Sequence, residues 1–285
     1  MSVQPFEPTV TVGNIALSFH RAAAAVTRRV LEAHGHRVNS VEAPHEQMFR
    51  LQEDGDVDVL VSAWLPSSHG TYLSHYRDRV RVLTPHYRPY CVWAVPPHVP
   101  AEAVREVADL ARPEVAERMT TAIRGINPGA GISRFSARIV AEYGLDRLGY
   151  SFTPGTETDF VARVEQGIAD QEWFVVPLWR PQYLNRLHGL RALEEPKGLL
   201  GTVDDASPVI SWEALDRIHP DAVARLDGLA LGNDGVEEID ALINVDGLTP
   251  LQAADRFLTA HPELLAAVSG HTASVSPRGP VSGDE

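Results

Sequence analysis

The sequence predicts an α/β fold made of two successive strand–helix series with a largely parallel sheet. Three observations predict it. Short apolar strands alternate with segments of helical periodicity, the pattern of an α/β chain rather than an all-α or all-β one. An apolar strand ends in a tryptophan-X-proline turn once in each half, WLP at residues 64–66 and WRP at 179–181. The 285 residues, 44% apolar and 22% charged, suffice for one large core or two medium ones and exclude wholesale disorder, collagen and coiled-coil architectures.

Residues 9–17 (TVTVGNIAL) read as a strand, and residues 20–34 carry Ala, Val and Leu at helical spacing before Gly35, which serves as a C-terminal cap. Residues 38–41 form a short second strand, and residues 56–63 (DVDVLVSA) a third, bounded by Asp54-Gly55 and the WLP turn. Residues 90–95 (YCVWAV) form another, closed by Pro96-Pro97, and helices are expected over 101–110 and 113–124. The second series opens with the glycine loop NPGAGI (127–132) and a helix over 133–143. Thr156 with Asp159 resembles a capping box opening a helix to Gln171, and residues 173–178 (WFVVPL) form a buried strand. After Pro208 the chain turns helical, with amphipathic segments over 212–226, 233–243 and 249–261. The Ser-, Gly- and Pro-rich residues 269–285 read as a disordered tail.

Composition removes several functions. The net charge of −13 repels phosphate backbones and anionic lipid, so nucleic acid is not an expected partner. Lys197 is the single lysine, which argues against Schiff-base chemistry, and Cys91, the single cysteine, reads as a buried, inert thiol. No window reaches the ~18 apolar residues of a membrane-spanning helix. The opening MSVQPFEPTVTVG shows neither a basic n-region nor an apolar h-region of a secretory leader. HExxH, CxxC and GxSxG are absent, and His34/His36 and His69/His75 lie two and six residues apart, not the i, i+4 spacing of a helical metal pair. No catalytic residue, metal or cofactor is expected.

What remains points to a ligand held at strand ends. In open α/β sheets ligands sit outside the carboxyl ends of strands, where Trp64 and Trp179 both lie. An indole face there stacks on a quaternary ammonium, which has no N–H to donate and for which a π-face is the main directional partner. The competing reading, that both indoles only pack between strand and helix, stays open at this point. His69 follows Trp64 by five residues in WLPSSHG and is placed to donate to an anion. The NPGAGI loop offers the backbone N–H groups of Gly131 and Ile132 at a helix start, suited to a small carboxylate better than to a pyrophosphate, or serves as a tight turn.

The blocks WLPSSHGTYLSHY, INPGAGISR, EYGLDRLGYSFTPGTETDFVARVEQGIADQEWFVV, PLWRPQYL, LEEPKGLLG and DGLTPLQAADRFLTAHPE occur in this order. Together they resemble the substrate-binding proteins of glycine betaine ABC importers, the quaternary-amine solute-binding family, from about Val10 to His261. The resemblance implies a two-lobed type II periplasmic-binding-protein fold with the ligand cleft between the lobes. Residues 1–95 would start lobe 1, residues 96–206 form lobe 2 and residues 207–268 return to lobe 1 as helices, with chain crossings near Val95 and Ser207. By motif position it places Trp64 and Trp179 in a tryptophan box for the cationic head, His69 on the carboxylate, and Gly131 and Ile132 as backbone donors.

The sequence departs from this family where relatives carry a further box tryptophan just after the first strand. Here that stretch reads GNIALSFH, with Leu17, Ser18, Phe19 and His20. Either Phe19 substitutes as a weaker π-face, or His20 hydrogen-bonds a different ligand group. Tyr183 stands where relatives often show a second tryptophan of the WRP-like turn, and Tyr72, Tyr87 and Tyr90 are box candidates or ordinary packing. The implied function is binding of glycine betaine or a related quaternary ammonium zwitterion by hinge closure, without bond making or breaking. A monomer delivering to membrane permease subunits in the periplasm or cell envelope is implied. A cytoplasmic sensor or scavenger of the same fold is the alternative that the missing leader motivates, and a cleft enzyme is a weaker one.

Overall fold

In the computed structural model, which describes residues 8–269, the chain opens β1 (Thr9–Ile15), α1 (Ser18–Ala33), β2 (Arg37–Ala43), α2 (His45–Glu53), β3 (Val59–Leu65) and β4 (Val80–Val82). α2 was not anticipated from the sequence. The first sheet has five strands in the order β2, β1, β3, Asp205–Ser211, β4. β1 pairs in parallel with β2 and β3 through helical crossovers, as a βα series requires. Asp205–Ser211 comes back from the second half and runs antiparallel to both neighbours, so the sheet is mixed rather than largely parallel.

β5 (Tyr90–Val95) lies in a separate antiparallel sheet, between Val176–Arg180 and Arg191–Ala192. The chain therefore leaves the first sheet before Tyr90. An apolar run signals a buried strand but not the sheet that buries it. The outgoing and returning segments run side by side: Ala206 N–H donates to Tyr87 O at 3.0 Å and His86 N–H to Ala206 O at 2.9 Å.

Residues 101–124 are not two long helices. Val107–Ala111 is a 3₁₀ turn capped by Glu106 and Asp109, and Pro113–Ala116 is one short helix. Met119–Thr120 and Ala122–Arg124 then pair as strands with Trp173–Phe174 and Ser151–Thr153. Helix-forming side chains here yield to strand pairing, because propensity is a weak prior against tertiary context. The expected helix over 212–226 splits into Trp212–Leu215 and Pro220–Gly228, since Pro220 starts a new helix and cannot continue an old one. Pro208 lies within a strand instead of preceding helices, at a bulge where the pairing register shifts between Ser207 and Val209. Opposite it, Ser62 takes a left-handed φ of 62°. The expected tail lies outside the described residues except for Ser269, which ends the helix Pro262–Ser269. Among the described residues no helix is long and apolar enough to cross a membrane.

A polar layer ties the two sheets together. Helix Gly232–Asn244, packed on α1, buries Glu237 and Asp240 against the turn that follows Val176–Arg180. The Arg180 guanidinium grips Glu237 through Nε at 2.8 Å and Nη2 at 2.7 Å, and Tyr183 N–H donates to Asp240 Oδ2 at 2.9 Å. Burial raises the Asp240 carboxyl to about 7, against the pull of its donors, with Glu157 and Glu237 adding repulsion.

Two outcomes are expected. Arg180→Ala strips a buried carboxylate of its partner and costs about 2–4 kcal/mol, discounted for the part of the arginine that stays in water. Arg50→Ala, on the exposed pair with Glu46, costs under about 0.5 kcal/mol. Urea denaturation distinguishes them, and equal small losses would contradict the burial argument. Between the usual carboxyl pKa and about 7, folded Asp240 holds a proton that the unfolded chain has released, so its contribution to stability declines as pH rises through that window. Asp240→Asn should therefore gain on the parent from about pH 5 to pH 8. A gap that does not change with pH would count against it.

Candidate functional site

β3 is buried along most of its length, and its bulge at Ser62 precedes the last residues, which deliver Trp64 to the carboxyl end of the sheet. The turn that follows is tightly determined. Trp64 N–H donates to His69 Nδ1 at 2.9 Å while His69 N–H donates back to Trp64 O at 2.8 Å. Ser67 and Ser68 N–H groups donate to the two carboxylate oxygens of buried Asp204 at 2.6 and 3.0 Å. Because His69 Nδ1 accepts, the neutral ring carries its proton on Nε2 and presents a donor there.

The second sheet supplies the other indole. Trp179 is the fourth residue of Val176–Arg180, paired across from Cys91 on β5. Both tryptophan turns contain a cis X-Pro bond, Leu65-Pro66 and Arg180-Pro181. Phe160 stacks on Trp179 with centroids 5.6 Å apart. On the opposite side Phe19, in the first turn of α1, lies 5.3 Å from Trp64 and 5.7 Å from Trp179. Trp64 is steadied by its Nε1–H bond to Tyr87 Oη at 3.0 Å.

Phe19, Trp64 and Trp179 bound a small cavity whose lining includes every residue singled out from the sequence as a leading candidate: Phe19, His20, Trp64, His69, Gly131, Ile132 and Trp179. Among the described residues no acidic side chain lines it. The helix Gly131–Glu142 starts at its wall with no side-chain cap, so the N–H groups of Gly131 and Ile132 are left without intrahelical partners. Glycine is required at 131, since a Cβ there would stand 2.7 Å from Ser68 Oγ and 2.9 Å from Ser68 Cβ. Arg134, one turn on, reaches over to Ser68 O at 2.6 Å.

The histidines at the cavity are neutral at pH 7. Burial first, and the neighbouring His45 second, hold His20 well below the ordinary imidazole range; burial, His45, His20 and Arg134 do the same for His69. Burial also brings His45 down to about 4. The cavity thus has aromatic faces at one end and N–H donors at the other, with no ionised side chain along its lining.

Several second-rank candidates fall elsewhere. Tyr87 stands behind Trp64, Tyr72 bonds Gly129 O at 2.9 Å, Tyr183 braces Asp240 through its backbone, and Tyr90 starts β5 away from the lining. His45, Ser68 and Cys91 line the cavity and were missed as contacts. Recognising α2 and the pairing of β5 with the WRP strand would have been needed to find them. Cys91 is half-buried rather than fully buried, and desolvation raises its thiol pKa.

The chain is 23% identical over 156 residues to the glycine betaine/carnitine transport binding protein GbuC of Listeria monocytogenes, a match spanning 55% of this chain and about half (51%) of that relative's length. Its fold is similar to that of lactococcal OpuAC in its closed, glycine betaine-bound form, with a TM-score of 0.80 and 23% identity over 92% of this chain and 99% of the other. It is also similar to an ABC-transporter choline-binding protein in complex with choline, with a TM-score of 0.79 and 19% identity over 94% and 93% of the two chains. These likenesses show the two-lobed periplasmic-binding fold. The model of the substrate-binding domain of ABC-type glycine betaine transport systems matches residues 8–260. With nearly the whole described chain accounted for, the protein belongs to the OpuAC family of substrate-binding domains.

Proposed function

We propose that the chain is the solute-binding component of an ABC importer and closes around glycine betaine or a related quaternary ammonium zwitterion. The observation that carries this reading is the convergence of Phe19, Trp64 and Trp179 on a buried cavity without an acidic side chain. A methylated ammonium cannot donate hydrogen bonds and is stabilised there by π-faces. Its carboxylate takes the Gly131 and Ile132 N–H groups and His69 Nε2–H. Phe19 serves as the third aromatic wall.

The lobe division follows the sheets, with the chain through Val82 and from Asp205 onward on one side and Tyr90 to Ala192 on the other. Trp64, His69 and Phe19 then belong to one lobe, and Trp179, Gly131 and Ile132 to the other. The ligand touches all of them only in the closed form, so its binding energy shifts the open–closed equilibrium. A monomer in the cell envelope hands the solute to membrane permease subunits, and no bond is made or broken.

Calorimetric titration against glycine betaine, proline betaine, carnitine, choline, dimethylsulfoniopropionate and a plain amino acid tests this. Binding of a methylated cation is expected, and silence across the panel would remove the reading. Trp64→Leu and Trp179→Leu keep apolar bulk while deleting a π-face, and each should weaken that binding by about 30-fold or more. Unchanged affinity in both variants would show that the rings only pack.

A further inference from the structure

We infer that His20 is a second imidazole donor to the anionic end of the ligand, and that it makes this cavity favour zwitterions over methylated cations ending in an alcohol. The inference rests on the solute-binding reading above and specifies its ligand class. It also separates the roles of two adjacent residues.

Phe19 and His20 are consecutive in the first turn of α1, 2% and 1% exposed, and both line the cavity because the helix start is aimed at it. Phe19 lies between the two indoles. His20 lies one position over, with ring centroids 4.4 Å from Phe19, 5.8 Å from Trp64 and 6.3 Å from His69. It therefore stands at the junction where the aromatic end meets the donor end. Its Nδ1 is buried with no hydrogen-bond partner. Buried polar side-chain atoms are nearly always paired, and one that is unpaired at a cavity wall has its natural partner in what fills the cavity.

The chemistry of that partner follows from the surroundings. No Asp or Glu lines the cavity, so the acceptor is not a protein carboxylate. Three neutral imidazoles, His20, His45 and His69, the uncapped start of Gly131–Glu142 and the nearby Arg134 guanidinium all favour negative charge at this end. Hydrogen bonds to an ionised acceptor are roughly twice as strong as those to a neutral one, so a carboxylate gains more from His20 than a hydroxyl does.

The test measures glycine betaine and choline affinities for the parent, His20→Phe and His20→Asn by calorimetry at pH 7.5, with thermal melts of each protein. The parent is expected to prefer glycine betaine. His20→Phe keeps the ring but loses the donor, and should weaken glycine betaine by about 10- to 100-fold while moving choline less than about threefold. His20→Asn restores a donor and should recover much of the loss. The ratio of the two ligands is internal to each variant, so a general loss of stability does not mimic the effect. Equal weakening of both ligands, or a glycine betaine affinity within about twofold of the parent in His20→Phe, would overturn the inference while leaving the solute-binding reading intact. A parent that binds neither ligand would overturn the inference, and silence across the wider panel would bring down the solute-binding reading as well.

Discussion

One helix sets the register of both aromatic walls. Glu157, the first residue of Glu157–Ala169, accepts from Ser18 N–H at 3.2 Å and Ser18 Oγ–H at 3.1 Å, and Ser18 immediately precedes Phe19. Phe160, three residues later on the same helical face, stacks on Trp179. The Phe19–Trp179 approach is thus held from behind by a single rigid element, itself started by the Thr156 cap on Asp159 N–H. Move that helix and the two walls lose their common reference.

Charge is layered around this arrangement. The acidic groups Glu157, Glu237 and Asp240 lie one layer behind the aromatic wall and none lies in front of it. Arg180 compensates Glu237, burial raises the Asp240 and Glu157 carboxyls toward their neutral forms, and burial keeps the cavity histidines uncharged. The cavity surface is left with oriented dipoles rather than ionised side chains. Indole and phenyl faces are negative at one end, and N–H groups positive at the other. Such a field matches a zwitterion, whose two charges each lose water on burial and each meet fixed dipoles of complementary sign.

How much of this can be read from the sequence depends on range. The two tryptophan-proline turns, the glycine loop and the Thr156 cap are local signals, and each lies where its residues place it. The contacts that brace the site are not local: Ser18 meets Glu157 across 139 residues, and Tyr183 meets Asp240 across 57. No periodicity encodes such pairings. The run over 101–124 is misread because its alanines, glutamates and arginines favour helix, while Pro113 and partner strands far along the chain decide otherwise. Pro208 misleads for the opposite reason, since only a bulge in the pairing with β3 lets proline sit inside a sheet. The choice between Phe19 and His20 cannot be made from sequence, because adjacent residues on a helix start reach different parts of one cavity.

Each end of the cavity is assembled from both sides of the molecule. At the aromatic end Trp64 comes from the strand of the first sheet and Trp179 from the second. At the donor end His69 follows β3, while Gly131 and Ile132 open a helix packed on the second sheet. The two sides press so closely that residue 131 tolerates no Cβ, and Arg134 and Tyr72 bond across the seam. On the proposed function, a zwitterion would bridge the seam twice, once with each charge. A ligand lacking either charge bridges it once and contributes correspondingly less to closure, because a ligand shifts an equilibrium only by its differential affinity for the two states. On the proposed function, selection of the solute and closure of the lobes are the same event, governed by how many of the two bridges the ligand completes.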